Sequence, residues 1–177
     1  MKKLIIIVLI LFVSCQAPSD GISQADSNIF EQNVNTLKNG FIKGYENLDF
    51  DNVISIFADS IKYYPAGVGA EMIEGIDQMK ESISFYMANF KDISFTEGGG
   101  LPGADIGFWG GNTYPVESAM SAPNNVRMYG TWDITNSITG KSVKFKQYAV
   151  WNFNEDGKVH TVTEYLDLGG ILSTFDQ

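Results

Sequence analysis

The sequence holds a single cysteine, Cys15, and a single histidine, His160, in 177 residues. One cysteine excludes an internal disulfide framework and any site built from clustered thiolates. One histidine, with no carboxylates grouped at ligand spacing, leaves no side-chain set for a metal. Positive charge is also scarce: 12 Lys and Arg stand against 21 Asp and Glu, a formal net charge of −9. Nucleic-acid binding draws much of its affinity from Lys and Arg neutralising phosphates, so this acidic chain is not expected to bind nucleic acid. No apolar run beyond the first residues approaches the ~20 residues needed to span a bilayer. GGGLPG, Gly98 to Gly103, lacks the lysine and helix of a phosphate loop, so no cofactor is expected.

What is present is 44 % hydrophobic and 13 % aromatic, enough for a core and too apolar for disorder. The length suits one domain. The opening stretch MKKLIIIVLILFVSC is a separate object: Lys2 and Lys3, an apolar run from Leu4 to Val13, then Ser14-Cys15. That is the shape of a secretory signal. The cysteine with a small residue before it resembles the lipobox of bacterial lipoproteins, although Phe12 stands where leucine is usual. The resemblance implies lipidation at Cys15 and membrane attachment through that anchor. Gln16, which is not the aspartate of inner-membrane retention, implies the outer membrane where the host has one. The expected organisation is a signal over 1–14, a tether over 15–29 and one domain over 30–177. Losing Lys2 and Lys3 moves the charge from −9 to −11, in keeping with solubility outside the cytoplasm.

Periodicity orders the rest. Phe30, Val34, Leu37, Phe41, Tyr45 and Leu48 recur at helical spacing, and FDNVISIFAD reads as a second helical piece. SIKYYPAG reads as a short strand stopped at Pro65, and Ile76 to Phe90 as a third helix. The second half is β-rich: KDISFTE, then VRMYGTWDIT with Val126, Met128, Trp132 and Ile134 on one face, then KSVKFKQYAVWNF, then KVHTVTEYLD. Between Gly98 and Asn124 lies a glycine-rich stretch carrying Phe108, Trp109 and Tyr114, readable as a surface excursion or as a lid over a ligand. Helices first and an antiparallel sheet after them make an α+β domain, with the helices on one face.

In that order, YENLDFDNVISIFADSIKYY, EGIDQMKESISFY, YGTWDITNSITGKSVKFKQYAVWNFNEDGKV and EYLDLGGIL resemble the SnoaL-like branch of the NTF2-like superfamily. The resemblance covers about Asn33 to Leu172. It implies a cone: three N-terminal helices closing a curved antiparallel sheet around an apolar pocket. Relatives include isomerases, cyclases and non-enzymes, so fold alone names no activity. Many are homodimers through the outer sheet face, which implies a homodimer here. Steroid isomerases of the superfamily use a phenol, a carboxylate base and a buried acid at positions matching Phe41, Pro65 and Ala149. None of these residues can move a proton. The histidine of SnoaL-type cyclases falls near Val162.

The candidate chemistry sits in the last hairpin. A two-residue turn at Asp156-Gly157, or a four-residue loop from Asn154 to Gly157, puts His160, Val162, Glu164 and Leu166 on the face of Gln147, Ala149 and Trp151. A three-residue loop with a bulge turns Thr161, Thr163, Tyr165 and Asp167 inward instead. The resemblance implies the first arrangement, with Phe41, Tyr45, Tyr64 and Trp132 completing the pocket wall. Glu164 is then a desolvated carboxylate suited to proton transfer. His160 is a second catalytic candidate, ~13 Å away at ~3.3 Å per residue and too far for a direct hydrogen bond. The expected ligand is a small, largely apolar molecule.

Overall fold

The computed structural model describes residues 23–98, 107–110 and 122–176. Cys15, the signal and Tyr114 lie outside the described residues. Ser23 caps the first helix, its hydroxyl accepting from the Asp26 N–H at 3.0 Å. The helix is α1, Gln24–Thr36, so residues 24–29, expected as tether, are already helical. It runs without a break into a π-helical segment, Leu37–Ile42, and then α2, Lys43–Glu46. The Lys43 N–H reaches back to the Lys38 carbonyl, the wide turn of a π-bulge, a feature common at functional sites. The run ends at Asn47, and Leu48 turns outward with φ of 54° instead of extending the apolar face.

Asp49 caps α3, Phe50–Ser55, by accepting from the Asn52 N–H. This helix is shorter than its apolar pattern suggests, because β1 begins at Phe57 and runs to Tyr64. There follow β2 (Ile73–Glu74), α4 (Ile76–Asn89), β3 (Phe90–Glu97), β4 (Phe108–Gly110), β5 (Asn125–Asn136), β6 (Ser142–Phe153), β7 (Val159–Tyr165) and α5 (Leu168–Asp176). Strand β4 lies inside the stretch read from the sequence as irregular; it pairs with β5 through Phe108 and Met128. Helix α5 was not expected from GGILSTFDQ. Asp167 holds its first turn by accepting from the Gly170 N–H at 2.9 Å, and Phe175 packs on Phe90.

The strands form one curved, unclosed sheet in the order β2-β1-β7-β6-β5-β3. It is mixed and not wholly antiparallel. β1 and β7 run parallel, with Tyr63 opposite Val162, because the strand after the N-terminal helices meets the last strand across the whole intervening chain. Alternation along β5 buries Val126, Met128, Gly130, Trp132 and Ile134 on the concave side. Along β6 the buried positions are Gln147, Ala149, Trp151 and Phe153. Leu37, Val53, Ile61 and Ile83 meet them from the helices and β1 with 0–1 % exposure, so the layers share one core. At ~1.5–3 kcal/mol per fully buried large apolar side chain, this burial is the main term holding helices to sheet.

The β6–β7 hairpin reaches the expected face by an unexpected route. Three residues, Glu155 to Gly157, connect Asn154 to Lys158, and Gly157 takes the left-handed φ of 70°. Alone, that loop would turn the odd positions of β7 inward. A bulge follows: Asn152 pairs with Thr161 but Phe153 with Val159, leaving His160 without an opposite residue. The extra residue restores the parity, so Val162 opposes Trp151 and Glu164 opposes Ala149.

Candidate functional site

A cavity of about 80 Å3 lies between the concave sheet face and the helices. One water needs about 10–15 Å3, so the space suits several waters or a compact organic molecule. Phe41 and Tyr45 from the first helical run form its roof, with rings edge to face at 4.9 Å. Helix α4 adds Met79, Ser82, Ile83 and Tyr86. The sheet supplies Tyr63, Ile93, Trp132, Ile134, Phe145, Gln147, Trp151, Val162 and Glu164, and Leu166 follows β7.

Among the described residues, Glu164 is the one carboxylate on this wall. Its Oε1 accepts from the Tyr63 hydroxyl and from the Ala66 N–H, the latter at 3.5 Å. Its Oε2 accepts from Gln147 Nε2 at 2.7 Å. Gln147 Oε1 in turn accepts from Trp132 Nε1 at 2.8 Å. Burial raises the Glu164 pKa, and the bonds from Tyr63, Ala66 and Gln147 offset only part of that rise. Tyr86 is pushed up to about 12, first by burial and then by the carboxylate. Burial also drives Tyr45 and Tyr63 upward, with Tyr86 reinforcing the first and Glu164 the second. All three phenols therefore keep their protons. The Trp151 indole N–H, on the same wall, is buried with no partner among the described residues.

Of the residues expected from sequence, Phe41, Tyr45, Trp132, Gln147, Trp151, Val162, Glu164 and Leu166 meet around the cavity. Three do not. Tyr64 is 43 % exposed and its neighbour Tyr63 takes the inward position, since Tyr63 is the residue in register with Val162. Ala149 is fully buried opposite Glu164 but does not reach the cavity surface. His160, displaced by the bulge, is absent from the wall; its Nδ1 lies 3.0 Å from the Thr161 hydroxyl. Tyr86 was legible only as one apolar position among several on α4, with nothing to mark its hydroxyl. In the Gly-rich stretch, Phe108 is buried beneath Lys38, and Trp109 stacks on Tyr148 of the opposite sheet face. Neither covers the cavity.

Among the described residues no group of His, Cys, Asp or Glu could hold a metal, and no helix is long and apolar enough to cross a membrane. No protein-family model matches the chain, and no curated protein matches it in sequence. Solved structures do. An isomerase candidate from Bacillus subtilis is similar at 18 % identity and TM-score 0.62, over 84 % of this chain and 96 % of that one. The BvnE pinacolase from Penicillium brevicompactum is similar at 16 % identity and TM-score 0.61, over 84 % and 95 %. An NTF2-like protein of unknown function from Burkholderia pseudomallei is similar at 16 % identity and TM-score 0.58, over 82 % and 98 %. These likenesses show the fold: an NTF2-like cone.

Proposed function

We propose that this NTF2-like domain binds a small, largely apolar molecule in the cone and transfers a proton on it without a cofactor, as a lyase or isomerase. The observation that carries the reading is Glu164, a lone carboxylate on an apolar wall whose bonded groups all donate to it. An acceptor held in a desolvated site is what a general base requires. The Tyr45 and Tyr86 phenols and the Trp151 indole N–H, the last without a partner among the described residues, suit a ligand oxygen that gains negative charge as the proton leaves. Isomerase and pinacolase names among the similar structures support this class of reaction. The bound molecule would present an acidic proton to Glu164 and its oxygen to the phenols.

A second reading is a non-catalytic module that pairs through the outer sheet face. Trp109, Tyr148 and Tyr165 stack there at 5.9 and 5.7 Å, and Tyr165 is 57 % exposed, which favours a partner on that surface. Native mass spectrometry of the purified domain separates the two. A retained small-molecule mass supports the pocket; a ligand-free dimer, with no added compound quenching Trp132 and Trp151 fluorescence, supports the module.

The same proposal places the domain in the cell envelope, secreted and tethered by acyl chains on Cys15. Two or more chains on one cysteine give stable anchoring where a single chain does not. Cys15→Ala is expected to move the protein from the membrane fraction to the soluble fraction. Continued membrane association of that variant would refute lipidation at this site.

A further inference from the structure

The proton-acceptor state of Glu164 is governed from two side chains away. An indole N–H can only donate, whereas a glutamine amide presents an acceptor on one side and donors on the other. Which way such an amide points is decided by its partners. Trp132 Nε1, 2.8 Å from Gln147, requires an oxygen there, so the amide nitrogen faces Glu164 Oε2 at 2.7 Å. A donor facing Oε2 cannot accept a hydrogen bond from a proton placed on that oxygen. On Oε1 the partner is the Tyr63 hydroxyl, which can turn to accept, with the Ala66 N–H only at 3.5 Å, so Oε1 is the oxygen on which a proton finds an acceptor.

The chain of bonds runs diagonally across the sheet. Gln147 lies opposite Gly130, two residues from Trp132, and Glu164 lies opposite Ala149, two residues from Gln147. Tyr63 continues the line on β1, opposite Val162. Diagonal neighbours of this kind are within reach of long side chains. Trp132 and Gln147 are both 6 % exposed, so bulk solvent has little access to the amide. The other titratable groups on the wall are Tyr45, Tyr63 and Tyr86, all kept as neutral phenols, and no cation faces the carboxylate among the lining residues.

We propose that Trp132 is a positioning residue that acts through Gln147, holding Glu164 as an acceptor on Oε2 and reserving Oε1 as the oxygen that takes the proton. The proposal rests on the reading of Glu164 as the base, but it concerns the free protein and is tested without a substrate. Removing the indole N–H frees the amide to turn. It can then offer its oxygen to a protonated carboxyl, which favours the neutral form.

The test is a 13C carboxyl NMR titration of Glu164 in the wild-type protein, Trp132→Phe, Gln147→Leu and the double variant. Trp132→Phe is expected to raise the midpoint by about one pH unit. In the Gln147→Leu background the same change is expected to have no further effect, because the intermediary is gone. A midpoint unmoved by Trp132→Phe overturns the proposal, as does a shift of equal size in both backgrounds. A measurement on the unaltered chain guards against poor folding of the variants. The Trp132 indole 1H–15N resonance should titrate with the Glu164 midpoint, and an indole signal indifferent to that transition overturns the relay. Turnover that survives Glu164→Gln would remove the base while leaving these titrations intact, so the two failures are distinguishable.

Discussion

Glu164→Gln is expected to lower turnover by about 10²–10⁴-fold, the span that general acid–base catalysis supplies, while ligand affinity changes little. The substitution keeps the shape of the side chain, and the network can absorb it. The new amide oxygen can accept from Gln147 Nε2, and its nitrogen can face the Tyr63 oxygen, which accepts as readily as it donates. What is lost is the ability to take a proton. Single-turnover kinetics on any substrate found in the cavity would measure this; unchanged rates remove Glu164 from the chemistry.

The same variant carries a thermodynamic signature. Burial holds the folded-state pKa of Glu164 above its ordinary value of 4.5. The native state therefore keeps a proton that the unfolded chain has already released. The stabilisation from that proton is complete below the unfolded value and is lost as pH rises through the folded value. E164Q lacks this loss. Its stability relative to wild type should thus climb with pH from about 4.5 upward and level off once Glu164 is ionised in both states. Thermal unfolding of both proteins across that range gives the difference curve. A slope of opposite sign would mean that the three donors outweigh desolvation.

Gly130→Ala should be among the most destabilising single-atom additions to the fold, at about 2–4 kcal/mol, because overpacking a filled core costs ~1–3 kcal/mol and occasionally more. The glycine is buried on the concave face of β5, diagonal to Phe95 on β3. A methyl group there would lie 2.5 Å from Phe95 Cε2, closer still to Cζ, and 2.7 Å from the Thr96 carbonyl oxygen. The ring can swing, but the backbone oxygen belongs to a paired strand and resists. For a domain of this size the expected drop in Tm is on the order of 5–15 °C. Shortening the ring with Phe95→Leu in the same chain should recover part of it, which a double-mutant cycle reads directly. Equal melting temperatures for Gly130→Ala and wild type would show that β3 yields freely. The ring also packs on Trp132 with centroids 4.7 Å apart, so the strain is delivered to the group that orients Gln147.

Much of the cone was legible because its signals are local. The alternation Val126, Met128, Trp132, Ile134 places one face of β5 by itself, and the spacing of Phe41 and Tyr45 places the roof. Gly130 sits silently in that alternation, since an absent side chain leaves no hydrophobic mark. The choice between Tyr63 and Tyr64 was not local at all. It depends on the parallel register with Val162, a residue about a hundred positions away. Likewise the Trp132–Gln147–Glu164 line joins diagonal neighbours on three strands, and no window along the chain contains it. α5 was hidden by its opening glycines, which lower helix propensity until Asp167 and the Phe175–Phe90 contact fix it.

The unpaired residue at position 160 works like the second of two frameshifts in a reading frame. The tight loop at Glu155 to Gly157 puts the strand out of phase, and the extra histidine puts it back before Thr161. With the three-residue loop kept, a His160 paired regularly opposite Asn152 would bring Thr163 opposite Ala149 and turn the carboxylate to the solvent side, whereas bulging it out leaves Glu164 facing the ligand. Alignments that count from the turn without the bulge will assign every position from Thr161 onward to the wrong wall.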